Sequence, residues 1–341
     1  MTPATRLRRG GAAVALAAAL AAVLAAGLLT DRASAAPQLP PITPEQLVAS
    51  VLAARPVALA GTVGVDNRLG LPAVPGLAAD GLTDPTSTVR VWTDGAGRGR
   101  VAVSTGDGER TYVRDGTTAW AYDSADRTAT RVPARDHADG HGAGRDPQES
   151  AREVVQRLRS SSELSVDGTT EVAGRPAYTL VLAPRAGERT VLRQVRVAVD
   201  AATRLPLELV VLGAGADPVL RVGFDELTVG PQDPALFGFT PPPGVTVRDG
   251  GQPHGPRGAG RPATAPRVVG DGWDAVVVAT VPPRAPGAQG PDPSALGTPV
   301  SGPWGSGREI TTNAGSAILT DDGRVAAGAV GTDVLGAALA R

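Results

Sequence analysis

The sequence contains no cysteine and no lysine; all 33 of its basic residues are arginine. Without cysteine there are no thiol nucleophiles, thiolate metal sites or disulfides, so the fold must be held by burial of apolar surface. Histidine is scarce, with three in 341 residues, and aromatic residues make up only 3% of the chain. Three signatures of catalysis are also missing: a G-x-S-x-G elbow, a Walker loop, and a dinucleotide fingerprint between a strand and a helix. The net charge of −1 offers no concentrated positive field of the kind nucleic acids require. Carboxylates are plentiful but fall in turns and on helix faces, where solvation is their ordinary role. An enzyme is therefore not the expected class, and no cofactor or metal is implied. His137 and His141 stand four apart near Asp139, but the glycines around them favour a solvated loop over a rigid helix presenting metal ligands.

What is present begins with an address. Arg6, Arg8 and Arg9 precede an uncharged run over 10–29, and Ala33, Ser34 and Ala35 follow as a small-residue cleavage site. This order predicts a secretory signal over 1–35. The run is about as long as a minimal membrane span, so an uncleaved anchor is the alternative. No cysteine follows it, so the chain is not itself expected to be lipid-modified.

A proline-rich spacer, 36–42, leads to a predicted helix. Thr43 can cap it, Pro44 suits the first turn, Gln46 sits at the capping-box offset, and Arg55-Pro56 ends the run. A strand is expected over 57–68 with Leu59, Gly61, Val63 and Val65 on one face. The stretch 69–82 is too apolar for a solvated loop and too rich in proline and glycine for a regular element. It reads either as a loop packed on a sheet or as a mobile lip beside an apolar cavity. Over 88–132, short β-prone runs alternate with Asp-Gly and related turns, which predicts an antiparallel meander. A polar loop, a helix from Pro147 to Leu158 and a second strand series (164–172, 175–182, 191–200, 205–212 and 219–227) follow. A Gly/Pro/Arg linker over 249–266 then separates a domain over 43–248 from a smaller one over 267–341. The smaller is expected to hold strands at 273–279, 308–313, 316–320 and 324–329 and a helix at 332–339. It is near the lower size for a stable core and is expected to dock on the larger.

Certain segments carry a likeness. They are the ladder around Val89-Arg90-Val91-Trp92, Tyr112-Val113-Arg114 and Ala119-Trp120-Ala121-Tyr122, then Gly174 to Leu180, Val195 to Asp200, Arg204 to Leu207, and Phe237-Gly238-Phe239. In this order they resemble the superfamily of the LolA lipoprotein carrier and LppX-type lipid-binding proteins. The end of the chain, Gly315 to Val330 and a short helix, is similar to the small second domain of the RseB (MucB) family. The resemblance implies an α+β fold in which a curved antiparallel half-barrel sheet closes on a helical lid, with a small C-terminal α+β domain attached. It implies lipid or lipoprotein acyl chains as the partner of a carrier. The alternative it implies is a lipid-sensing regulator that holds the outer domain of an anti-sigma factor. Either would work in the cell envelope, with room for contact at a membrane surface.

An acyl chain needs a deep apolar groove, because each buried CH₂ contributes about 0.8 kcal/mol. Expected lining positions are Val89, Val91, Val101, Val103, Trp120, Tyr122, Leu180, Leu182, Val195, Val197, Leu207 and Leu209. Periodicity alone leaves open which face of the sheet they occupy, since a one-residue slip reverses every assignment.

Overall fold

The structure is a computed structural model that describes residues 38–70, 85–133, 147–250, 266–280 and 297–341. The signal segment, the apolar stretch from 71 to 84, the loop holding His137 and His141, most of the linker and the insertion 281–296 lie outside the described residues. No described helix is long and apolar enough to cross a membrane. Residues Gln38–Arg341 form one compact unit.

Helix α1, Pro44–Leu52, starts as its sequence dictates. The Gln46 amide donates to Thr43 Oγ1 at 3.2 Å, and the Thr43 amide donates to Gln46 Oε1 at 3.0 Å. Strand β1, Leu59–Asn67, leads into the meander β2 Thr86–Thr93, β3 Gly99–Thr105, β4 Gly108–Arg114, β5 Thr118–Asp123 and β6 Thr128–Pro133. Its turns are tied by aspartate: Asp94 Oδ1 accepts from the amides of Ala96 and Arg98, and Asp115 Oδ1 from those of Thr117 and Thr118. Gly95 stands at φ +71°, and a Cβ there would lie 2.9 Å from the backbone of Val57 and Ala58, so the turn needs glycine.

Helix α2, Pro147–Ser161, precedes β7 Ser162–Val172, β8 Arg175–Pro184, β9 Gln194–Asp200, β10 Pro206–Leu212 and β11 Pro218–Val229. Strands β1 and β11 pair antiparallel, joining the two series into one curved open sheet of twelve strands. The twelfth, β12 Thr246–Asp249, was not expected as a strand. It pairs with β6 in parallel, the exception in a sheet expected to be antiparallel throughout. Because β11 lies near the centre and β12 at the far edge, the chain between them must cross β1–β6. It does so through a short 3₁₀ turn, Pro234–Phe237, whose Phe237 is 2% exposed.

A second, six-stranded sheet holds β13 Arg267–Val269, β14 Val276–Thr280, β15 Thr298–Gly302, β16 Gly305–Thr312, β17 Gly315–Thr320 and β18 Arg324–Gly328. Its strand order is β13-β14-β18-β17-β16-β15. Sequence reading missed β13 and β15: each is short, exposed and at an edge, where no alternation marks it. Helix α3, Thr332–Leu339, covers one face and buries Val276, Ile318, Ala326 and Leu335. This sheet is tied to the larger one by specific groups. Trp273 Nε1 donates to Ser162 Oγ at 2.7 Å, the Val191 amide to Ala329 O at 2.9 Å, and the Asn313 amide to Leu69 O at 2.8 Å.

Candidate functional site

The pairing register of the large sheet decides which side chains share a face, because directly opposed residues of antiparallel strands point the same way. Leu180 pairs with Val197, Val197 with Leu209, Leu209 with Val222 and Val222 with Val65. Val63, two residues from Val65, pairs with Val89, and Val89 with Val103. Val91 continues through Val101, Tyr112, Ala121 and Thr130. One apolar face therefore runs from β8 to β6, and we call it the inner face because α1 packs on it.

The helix covers only one end. Leu47 of α1 is fully buried against Tyr178, Leu180 and Val199, with Leu182 and Val197 alongside. Glu45 and Arg159 form an ion pair at 2.7 Å between α1 and α2. Over β2–β6 no described helix covers the inner face, and Tyr112 stands 45% exposed. There the sheet floors an open cavity of about 440 Å³, bordered among others by Val101, Tyr112, Ala119, Ala121, Thr130 and Val132.

Nine of the twelve expected positions lie on this inner face: Val89, Val91, Val101, Val103, Leu180, Leu182, Val195, Val197 and Leu209. Leu180, Leu182 and Val197 belong to the core beneath α1. Val89, Val91, Val101 and Val103 sit, half-buried, in the uncovered part. The other three depart from expectation. Trp120 pairs with Val113 and Tyr122 with Thr111, which sets both on the opposite, outer face. Their rings lie 5.4 Å and 5.7 Å from that of Phe239, on the crossing segment. Trp120 still borders the apolar cavity and Tyr122 the adjoining one, while their rings pack against the strap. Leu207 is displaced by a bulge, since Pro206 pairs with Val199 and Glu208 with Ala198. It is buried in a separate cluster with Val172, Ala177 and Ala198.

Sequence reading did not select Tyr112, Ala119, Ala121, Thr130 or Val132, and the turns held the signal. A tight turn at Gly106-Asp107 sets Thr105 opposite Gly108 and therefore Val101 opposite Tyr112. The same counting across the next turn sets Tyr112 opposite Ala121 and leaves Trp120 on the other side.

Polar groups close the open end of the inner face. Arg110, Asp123 and Thr128 form a row next to the apolar one, and Arg110 Nε donates to Asp123 Oδ2 at 2.8 Å. Burial works to raise the Asp123 carboxyl, but the Asp126 amide and the Arg110 guanidinium outweigh it and hold it below its ordinary value. Among the described residues no group of three or more His, Cys, Asp or Glu side chains could hold a metal ion.

No family model matches the chain, and no curated protein matches it. Among solved structures it is similar to MucB in the MucA/MucB complex of Pseudomonas aeruginosa, at 19% identity and a TM-score of 0.43, covering 86% of this chain and 94% of that one. It is also similar to LprF from Mycobacterium bovis, at 10% identity and a TM-score of 0.27, covering 56% of this chain and 96% of that one. A third is a LolA-superfamily protein from Nitrosomonas europaea, at 10% identity and a TM-score of 0.25, covering 58% of this chain and 99% of that one.

Proposed function

We propose that this protein is an exported, non-enzymatic carrier that binds lipid or lipoprotein acyl chains on the uncovered half of the inner face. One observation carries the reading: a largely apolar surface over β2–β6, interrupted by Arg114, that borders an open cavity and has no described helix packed on it. Val89, Val91, Val101 and Val103 are the positions that line the chain's path, with Tyr112, Ala119 and Ala121 beside them. An acyl chain laid there withdraws apolar surface from water on both partners, at about 25 cal/mol per Å² buried. Loading and delivery would take place at a membrane surface. The test is organic extraction of the purified full chain followed by mass spectrometry, together with titration of a fluorescent fatty acid. Bound lipid and saturable binding are expected. An empty protein that does not bind the probe overturns the reading.

A second reading, a regulator that holds an anti-sigma factor outer domain, has one observation in its favour. On the face of the second sheet away from α3, Val268 and Val277 pair with each other and are 64% and 45% exposed. Ala327, Ala317 and Ile310 continue their row. Exposed apolar rows of this kind mark protein contacts. A pull-down from the source membrane in which V268D/V277D recovers the same proteins as the parent removes this support.

A further inference from the structure

Next to the apolar cavity lies a second one of about 520 Å³ with a different lining, bordered by Arg110, Asp123, Asp126, Thr128 and Arg248. The two share Tyr112, Ala121 and Thr130, so they are adjoining parts of one trough on the inner face. Along the strands the side chains change character in rows. Val132, Ala119 and Arg114 form one row, then Thr130, Ala121 and Tyr112, then Thr128, Asp123 and Arg110. Apart from Arg114, the first two rows are uncharged, and the third ends in charge.

The charges there are not equivalent. Arg110 and Asp123 neutralise each other. Arg248 comes from β12, where it pairs with Thr130, so the crossing strap delivers it to the rim of the trough. Arg248 and Asp126 are exposed and form no ion pair among the described residues. Among the described residues, Arg248 and Asp126 are therefore a cation and an anion at the polar end with no ion-pair partner.

We infer that the ligand is an amphiphile with a zwitterionic head, its anionic part at Arg248, its cationic part toward Asp126, and its tail along Val101 and Ala119. This rests on the acyl-chain reading and adds the chemistry of the head. A purely anionic head meets Arg248 but also the field of Asp126, and a neutral head meets neither charge productively. Rim-exposed charges act over short range and are screened by salt, so they select among heads while the tail supplies most of the binding.

The test holds the tail constant at twelve carbons and varies the head, by calorimetric titration of the full chain below micelle-forming concentrations. The probes are dodecylphosphocholine, dodecyl sulfate and dodecyl maltoside. Dodecylphosphocholine is expected to bind tightest, with its advantage over the maltoside shrinking at high salt. Arg248→Gln should weaken dodecylphosphocholine and dodecyl sulfate about threefold and leave the maltoside unchanged. Asp126→Asn should improve dodecyl sulfate relative to dodecylphosphocholine. Circular dichroism of each variant confirms that the fold is kept. If all three probes bind alike and neither substitution shifts their order, the head assignment is overturned while acyl binding stands. If none binds to the folded parent, the acyl-chain reading itself fails.

Discussion

Leu180 and Val101 occupy the same face of the same sheet, yet they live in different surroundings. Leu180 is 9% exposed beneath Leu47, whereas Val101 borders an open cavity. Both halves of the face are built from the same β-branched and aliphatic alternation, so composition does not distinguish them. What distinguishes them is a helix, anchored by its own capping box and by the ion pair to α2. One half spends its apolar surface on stability; the other keeps it available.

That contrast can be broken by substitution, beginning with the covered half. Leu47→Ala should lower unfolding stability by about 2–5 kcal/mol, because a fully buried leucine leaves a cavity behind. Denaturant titration measures the loss, and fatty-acid binding by the folded fraction should be unchanged. The next largest effect is expected at Asp200, which is 1% exposed and accepts from Arg175 and from the Ala202 and Thr203 amides. Burial pushes its carboxyl up, but Arg175 and the turn amides outweigh it and hold it below 3.8. A lowered folded value means the contribution is complete above the unfolded value and is lost as pH falls through the folded one. Asp200→Asn should therefore cost about 3 kcal/mol at neutral pH. The difference from the parent should narrow in acid denaturation below about pH 4.

Trp120→Ala tests the outer face. Losing the ring against Phe239 should cost about 1–2 kcal/mol in thermal or chemical unfolding while fatty-acid binding persists. Binding lost in proportion to stability would return Trp120 to the groove. The smallest stability change belongs to the bare half. Val101→Asp should shift unfolding by no more than about 0.5 kcal/mol, since its side chain already meets solvent. It should nevertheless weaken fatty-acid binding at least about tenfold by setting a charge in the tail's path. A large stability loss there would show that Val101 is ordinary core.

Much of the architecture was legible because its local signals agree. Thr43, Pro44 and Gln46 announced α1, and the Asp-Gly turns announced the meander. The division of the site was not legible in the same way. Trp120 and Tyr122 look like ligand residues by size, but the pairing that turns them outward depends on hairpin register rather than on their own alternation. Leu207 was misjudged because a bulge breaks the period of two on which its assignment rested. The parallel pairing of β12 with β6 joins residues remote in sequence, and Thr246–Asp249 carries no apolar alternation of its own. The division of the inner face into covered and bare halves follows from where a helix lands, which no strand encodes.

The strap has a consequence for how the chain assembles. The meander β2–β6 can pair from local turns alone, but Phe237 and Phe239 reach its outer face only after β11 has found β1 across most of the chain. Closing so long a loop is slow compared with forming hairpins. During synthesis the first half of the sheet therefore waits with both faces uncovered, a state prone to association. Chaperone dependence should accordingly lie in the interval before the strap is seated, and truncation before Pro234 should prolong it without end.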